Sequence, residues 1–158
     1  PSKPLLFDYH VFLVAFDKSL KKSVVIDCDN KNSLHSTFEQ YKEKVLKPLE
    51  MKQIRDDFQR LFRVVEAQEL FDFFSSDRSH MMVNGEYVKP PPTWQAPVAR
   101  KDQFKVKDNE GNVIEMEEIN KTTNLFSHFV DMENKKIGTV MTEDQFFTFM
   151  TNDFETPK

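Results

Sequence analysis

Near the start of the chain a histidine and a carboxylate interrupt two apolar, strand-forming runs. Such a pair inside a sheet needs a reason to be there. The first run, Leu5 to Phe16, carries Phe7, Tyr9, Val11 and Leu13 on one face and His10, Phe12, Val14 and Phe16 on the other, the pattern of a strand buried on both sides. The second, Lys22 to Asp29, places β-branched Val24, Val25 and Ile26 just before Asp27. Asp17 to Leu20 reads as the loop between them. With that loop Phe16 pairs with Lys21, and counting outward sets His10 opposite Asp27, with Cβ atoms roughly 4.5–5.5 Å apart. A one-residue slip would face His10 with Cys28 instead, because side chains alternate with period two. The sequence alone leaves that register open.

A histidine titrates near neutrality and can move a proton in either direction. A carboxylate on its second ring nitrogen fixes the tautomer and stabilises the imidazolium. His10 and Asp27 are therefore candidates for a base and its orienter. The competing reading is a buried histidine satisfied by a structural acid. Cys28 could be a nucleophile, but under the preferred register it points away from His10 and reads as a small buried apolar residue. His80, within Ser75 to Met81, could be a second functional histidine. The plainer reading is a loop whose Asp77 and Arg78 tie down backbone groups and pair with each other. His35 and His128 stand isolated. No grouping has zinc-ligand spacing, Asp27 to Asn30 lacks the glycine and distal glutamate of a calcium loop, and no cofactor is expected.

The rest of the chain alternates without order between helical and strand patterns. Ser36 to Glu39 has capping-box form and opens a helix carrying Phe38, Tyr41 and Val45, stopped by Pro48. Lys52 to Leu61 predicts a second helix, Phe62 to Val65 a strand, and 66–74 a short helix with Ala67, Leu70, Phe71 and Phe74 on one stripe. Asn84-Gly85 marks a type I′ hairpin. Pro90 to Pro92 form an extended segment leading to Trp94, expected to pack back onto the fold. Phe104 to Val106 and Val113-Ile114 flank a surface turn around Gly111. Leu125, Phe126, Phe129 and Val130 mark a helix, Ile137 to Met141 a strand. Thr142 to Gln145 forms a second capping box ahead of a last helix with Phe146, Phe149 and Met150. No glycine-rich loop follows any strand, which argues against a doubly wound nucleotide-binding sheet. The expectation is α+β, a mainly antiparallel sheet flanked by helices, in one domain over residues 1–158.

The net charge of −4, with acids and bases interspersed, gives no electrostatic footprint for nucleic acid or for anionic lipid. No apolar run approaches the ~20 residues of a membrane-spanning helix. A single cysteine favours a reducing compartment. The chain opens at Pro1 within a strand pattern and so reads as a portion of a longer one.

Several motifs, in order, resemble one family. Phe-Asp-Tyr-His-Val at 7–11 closely resembles the Trp-Asp-Tyr-His-Val signature of the protein N-terminal glutamine amidohydrolases. Ile26 to Asp29 resembles their Tyr-Asp-Leu-Asp, Phe62 to Val65 their Phe-Arg-Val-Ile, and Phe74 to Met81 their Phe-Ala-Ser-Asp-Arg-Ser-His-Met. The proline triplet follows as it does there, and Gly138 to Phe147 fits the last strand and helix. The resemblance implies conversion of N-terminal glutamine to glutamate in the N-degron pathway, by a Cys-His-Asp triad on a papain- or transglutaminase-like fold. It places the family histidine on His10 and its aspartate on Asp27, and suggests Asp77 for the substrate's α-ammonium group. It also implies a monomer acting on protein or peptide substrates in the cytoplasm and nucleus. Phe7 replaces the signature tryptophan. The family's nucleophilic cysteine lies in a segment that would precede Pro1, so the 158 residues alone are expected to have little amidase activity. The alternative is a noncatalytic module that binds N-terminal segments or another protein.

Overall fold

Two local devices set the frame of the first part of the chain, a polar turn and a helix cap. In the computed structural model, which describes residues 9–17, 19, 22–31, 33–48, 59–107 and 110–152, strand β1 (Leu13–Asp17) pairs antiparallel with β2 (Lys22–Ile26), and β2 with β3 (His35–Thr37). Asp17 accepts hydrogen bonds from the amide and hydroxyl of Ser19, so it stays in the ladder opposite Lys22. The register is therefore Phe16 with Ser23, two residues away from the predicted Phe16–Lys21 pairing. A shift of two preserves side-chain parity, so the two faces keep their occupants.

Burial on both sides of β1 is not observed. Phe12, Val14 and Phe16 are half-buried, whereas Leu13 is 55 % exposed, and Val11 just ahead of the strand is also open. The Leu5 to Asp8 part of that prediction, and Lys52 to Phe58 of the second helix, lie outside the described residues. Leu61, placed in that helix from sequence, is a strand residue.

After β3 the capping box forms one residue later than predicted. Thr37 accepts from the Gln40 amide, and Gln40 answers the Thr37 amide. The helix Phe38–Tyr41 runs into a wider turn, Lys42–Leu46, closed by the Lys47 amide on the Lys42 carbonyl. The second box, Thr142 with Gln145, opens the helix Glu143–Thr151 as expected. Phe146 meets Phe12 and Phe38 at ring-centroid distances of 6.2 and 5.8 Å. Val25, Phe38, Tyr41, Leu46, Phe146, Phe149 and Met150 are buried. These segments make up one compact unit, residues 1–60 with 142–158; residues 61–141 make the other.

Leu61–Val64 (β4) pairs with Thr139–Thr142 (β9), and a helix of the second unit spans Ala67–Phe73. Gly138 is required where it stands. Its φ is 61°, and a Cβ there would lie 2.3 Å from the Val64 carbonyl oxygen. The Asn84-Gly85 turn has positive φ at both residues, as a type I′ hairpin between β5 (Met82–Val83) and β6 (Glu86–Tyr87) demands. A longer hairpin joins β7 (Gln103–Lys107) to β8 (Val113–Glu118). Ala99, Phe104, Ile119 and Ile137 form the core, with Val65, Phe73 and Phe129 against it. Phe73 thus takes the inward place that the predicted stripe gave to Phe71, which is exposed beneath the Arg100 guanidinium.

Trp94 does not pack back: it is 70 % exposed. Arg78 holds its segment by the backbone instead, donating to the carbonyls of Pro92 and Trp94. The Arg78 guanidinium therefore does not form the predicted pair with Asp77. The architecture is mixed helix and antiparallel strand, α+β as expected. Among the described residues the strands form one three-stranded sheet and three two-stranded pairs, and no helix is long and apolar enough to cross a membrane.

Candidate functional site

Asp27 follows the last residue of β2, and its backbone is pinned there: its amide donates to the Leu34 carbonyl, and its own carbonyl accepts from Asn30. The residue is 2 % exposed. A carboxylate so buried must be satisfied by donors, and three converge on it. The Asp29 amide donates to Oδ1 at 3.0 Å. Oδ2 lies 3.0 Å from His10 Nε2 and accepts from the Tyr41 hydroxyl at 2.8 Å. Burial by itself would raise the carboxyl's pKa; the bonds from His10, Tyr41 and the Asp29 amide outweigh it and hold Asp27 below the usual carboxylate value.

The predicted partnership of His10 and Asp27 is thus present, although not as a cross-strand pair. His10 stands three residues ahead of β1, and its imidazole reaches the carboxylate from the approaching segment. Both Asp27 oxygens only accept, so Nε2 carries a proton toward them. The ring is 27 % exposed, and Nδ1 lies 3.8 Å from Oδ2 of the exposed Asp29. A buried, ionised carboxylate behind a partly open imidazole can hold the ring and stabilise it when Nδ1 accepts a proton.

Tyr41 is the member that sequence reasoning missed. It was assigned to an apolar helix stripe, and its ring does pack there, 5.0 Å from Phe12. The available signal was the phenol itself: a buried tyrosine hydroxyl usually finds a partner, and Asp27 was the buried acceptor at hand. Burial, then the bond to Asp27, pushes the phenol's pKa well above its usual range.

Other candidates fall elsewhere. Cys28 is exposed, which corrects the reading of it as a buried apolar residue. It lies in the turn beyond β2, where strand alternation no longer governs. His10, Asp27 and Asp29 bring ligand atoms within 4.8 Å of one another, but three donors already occupy the Asp27 oxygens, which leaves a poor cation cage. Asp77 belongs to the second unit. It is exposed and caps the Ser79 amide at 2.9 Å, and hydrogen bonds from Ser79 hold its pKa down. His80 is exposed and meets Phe126 edge-on at 6.0 Å. His128 is more than incidental to packing: it stacks on Phe104 at 5.0 Å, and its Nε2 finds no hydrogen-bond partner among the described residues.

The geometry defines a class: an α+β protein carrying a histidine hydrogen-bonded to a buried carboxylate. Comparison with known proteins narrows it. The pattern of the N-terminal glutamine amidase family matches residues 1–150, and the chain belongs to that family. It is similar to the protein N-terminal glutamine amidohydrolase of Caenorhabditis elegans, 42 % identical over 91 residues that cover 57 % of this chain and 48 % of that protein. The Bos taurus protein of the same name is 35 % identical over 92 residues, 58 % of this chain and 43 % of its own length. The Oryza sativa subsp. indica protein is 30 % identical over 145 residues, 88 % and 59 % respectively. The chain spans about half the length of the curated relatives it matches.

Proposed function

We propose that this chain is part of an enzyme that hydrolyses the side-chain amide of an N-terminal glutamine, releasing ammonia and leaving glutamate. The observation that carries the reading is the 3.0 Å contact of a partly open imidazole, His10, with a buried carboxylate, Asp27, in a chain of the N-terminal glutamine amidase family. A papain- or transglutaminase-like arrangement fits such a dyad, with a thiol outside these 158 residues as nucleophile.

In this reading Nδ1 of His10 takes the thiol proton as sulfur attacks the carboxamide carbon. The tetrahedral intermediate collapses, the C–N bond breaks, and the imidazolium gives its proton to the departing nitrogen. Ammonia leaves and a thioester remains. His10 then takes a proton from water as the water oxygen attacks the thioester carbonyl. The C–S bond breaks, and the sulfur recovers its proton from His10. Asp27 keeps Nε2 protonated throughout and stabilises the imidazolium formed in each half-reaction.

The test is ammonia release from a peptide with N-terminal glutamine by the full-length protein. His10→Ala is expected to lower kcat/KM by about 10²–10⁴-fold. Undiminished turnover in that variant would sink the assignment. A wild-type protein that binds the peptide without releasing ammonia would favour the noncatalytic alternative.

A further inference from the structure

The carboxylate behind His10 has two side-chain donors on a single oxygen, and the second belongs to a residue with no assigned role. Tyr41 ends a four-residue helix whose start is fixed by the Thr37–Gln40 capping box. Phe38 and Tyr41, three apart, share the inward face and are both buried. The Tyr41 ring is seated against Phe12. Its hydroxyl reaches Asp27 Oδ2 at 2.8 Å and lies 3.4 Å from His10 Nε2. Two donors cannot usefully bond each other, so the hydroxyl proton goes to the carboxylate and the 3.4 Å approach follows from sharing it.

We propose that Tyr41 is a positioning residue for the dyad: its hydroxyl fixes the rotamer of Asp27, aims Oδ2 at the imidazole and keeps the carboxylate ionised. The catalytic consequence rests on the amide hydrolysis proposed above; the structural claim does not. A tyrosine suits the task because a phenol carries one proton and its ring can be locked by packing. This phenol stays protonated well beyond neutrality, so it acts toward Asp27 as a constant donor. Among the described residues nothing supplies a substitute. The turn after β2 contributes the Asp29 amide to the other oxygen, and the Asp29 carboxylate lies at the far ring nitrogen. Arg60 acts on the phenol through its charge and is itself bound to Glu143 and to the Leu46 carbonyl. Phe12 and Phe146 are apolar.

The experiment is Tyr41→Phe in the full-length protein, read in two ways. The titration of Asp27, followed by carboxyl ¹³C NMR and assigned with Asp27→Asn, should move to higher pH once the hydroxyl is gone. With an N-terminal glutamine peptide kcat should fall roughly tenfold, the scale of a hydrogen bond to a charged group, with KM changing about twofold or less. Phe12→Leu is the control: it loosens the same ring packing, keeps the hydroxyl and should leave the Asp27 midpoint in place. An Asp27 midpoint unmoved by Tyr41→Phe, or moved equally by Phe12→Leu, overturns the inference. A moved midpoint in a protein that releases no ammonia upholds the hold on Asp27 and discards the amide hydrolysis.

Discussion

Two buried polar clusters, one in each compact unit, differ in where their hydrogen bonds end. In the second unit Asn124 accepts from the Ser75 amide and donates to the Phe73 carbonyl, while the Ser75 hydroxyl accepts from the Ala99 amide. Every bond closes on backbone, and neither side chain reaches solvent. Nearby, Arg63 does the same with a full guanidinium, donating to the carbonyls of Phe129, Asp131, Asn134 and Ile137. Around Asp27 the buried bonds lead outward instead, through Oδ2 to a partly exposed imidazole whose other nitrogen lies 3.8 Å from the exposed Asp29 carboxylate. Buried polar groups that terminate on main chain fix loops. A buried charge that terminates on a half-open titratable ring is the arrangement that the proposed proton transfer would use.

Crossed substitutions should break or sharpen that comparison, and they carry the largest expected effects. Asp27→Asn keeps the shape of the side chain. Its amide nitrogen, however, would face two donors, so His10 would switch to the Nδ1–H tautomer and lose its base. Activity of the full-length protein should fall by about 10³–10⁴-fold with a modest change in melting temperature. Asn124→Ala should do the reverse. It leaves a buried amide and a buried carbonyl unpaired, which costs about 2–4 kcal/mol of stability, while the kcat of the protein that remains folded stays near wild type. Parallel kinetic and thermal-unfolding measurements on both variants decide it. A large loss of kcat in folded Asn124→Ala would erase the distinction.

Much of this fold was legible because its signals are local. Thr142 with Gln145, and Asn84 with Gly85, state their own geometry within four residues. The pairing of His10 with Asp27 was half legible. Alternation encodes only which face a residue shares, and that parity survived a two-residue slide within the strands, whereas His10 and Asp27 meet beyond the strand ends. The absolute register depended on Asp17 staying in the ladder by bonding Ser19, a choice made inside the turn. Tyr41 was hidden because its ring satisfies an apolar stripe, while its hydroxyl answers to a residue 14 positions away. The wide turns at Lys42–Leu46 and Leu125–Val130 were read as ordinary helix, since a single extra residue per turn leaves the apolar spacing nearly intact. Trp94 was misplaced because its segment is held by Arg78 through carbonyls, so the indole is not needed for anchoring.

A smaller effect should separate the two units by pH. His128 is held below its ordinary value of 6.5 by burial first and by the charges of Lys136 and Arg63, against the opposing pull of Glu117. The folded state therefore binds this proton less readily than the unfolded chain. The contribution is complete above 6.5 and is lost as pH falls through the lower native value. Asp27 is also depressed, but from 3.8, so its contribution persists until far more acid conditions. On acidification, amide hydrogen exchange should accelerate first around Phe104 and His128 and only later around Asp27. His128→Phe should remove the first phase. Simultaneous loss in both places would show that His128 does not set the acid limit of its unit.

The smallest expected effect is at Cys28, and it tests whether nearness in sequence to the dyad means membership in it. Cys28 adjoins Asp27 in the chain, yet its neighbours on both sides do the work: Asp27 turns inward, and the Asp29 amide returns to Asp27 Oδ1. The thiol itself is exposed and is absent from the group of ligand atoms that gathers around His10. A nucleophile must come within hydrogen-bond reach of Nδ1, about 2.6–3.2 Å, and must hold the substrate carbon in line with it. Cys28→Ser in the full-length protein should therefore leave kcat/KM within about twofold of wild type, the range of a surface substitution away from packing and charge networks. Alkylation of the wild type confined to Cys28 should be equally silent. Loss of ammonia release in either case would move the nucleophile onto this turn and require a rearrangement that carries the thiol to His10.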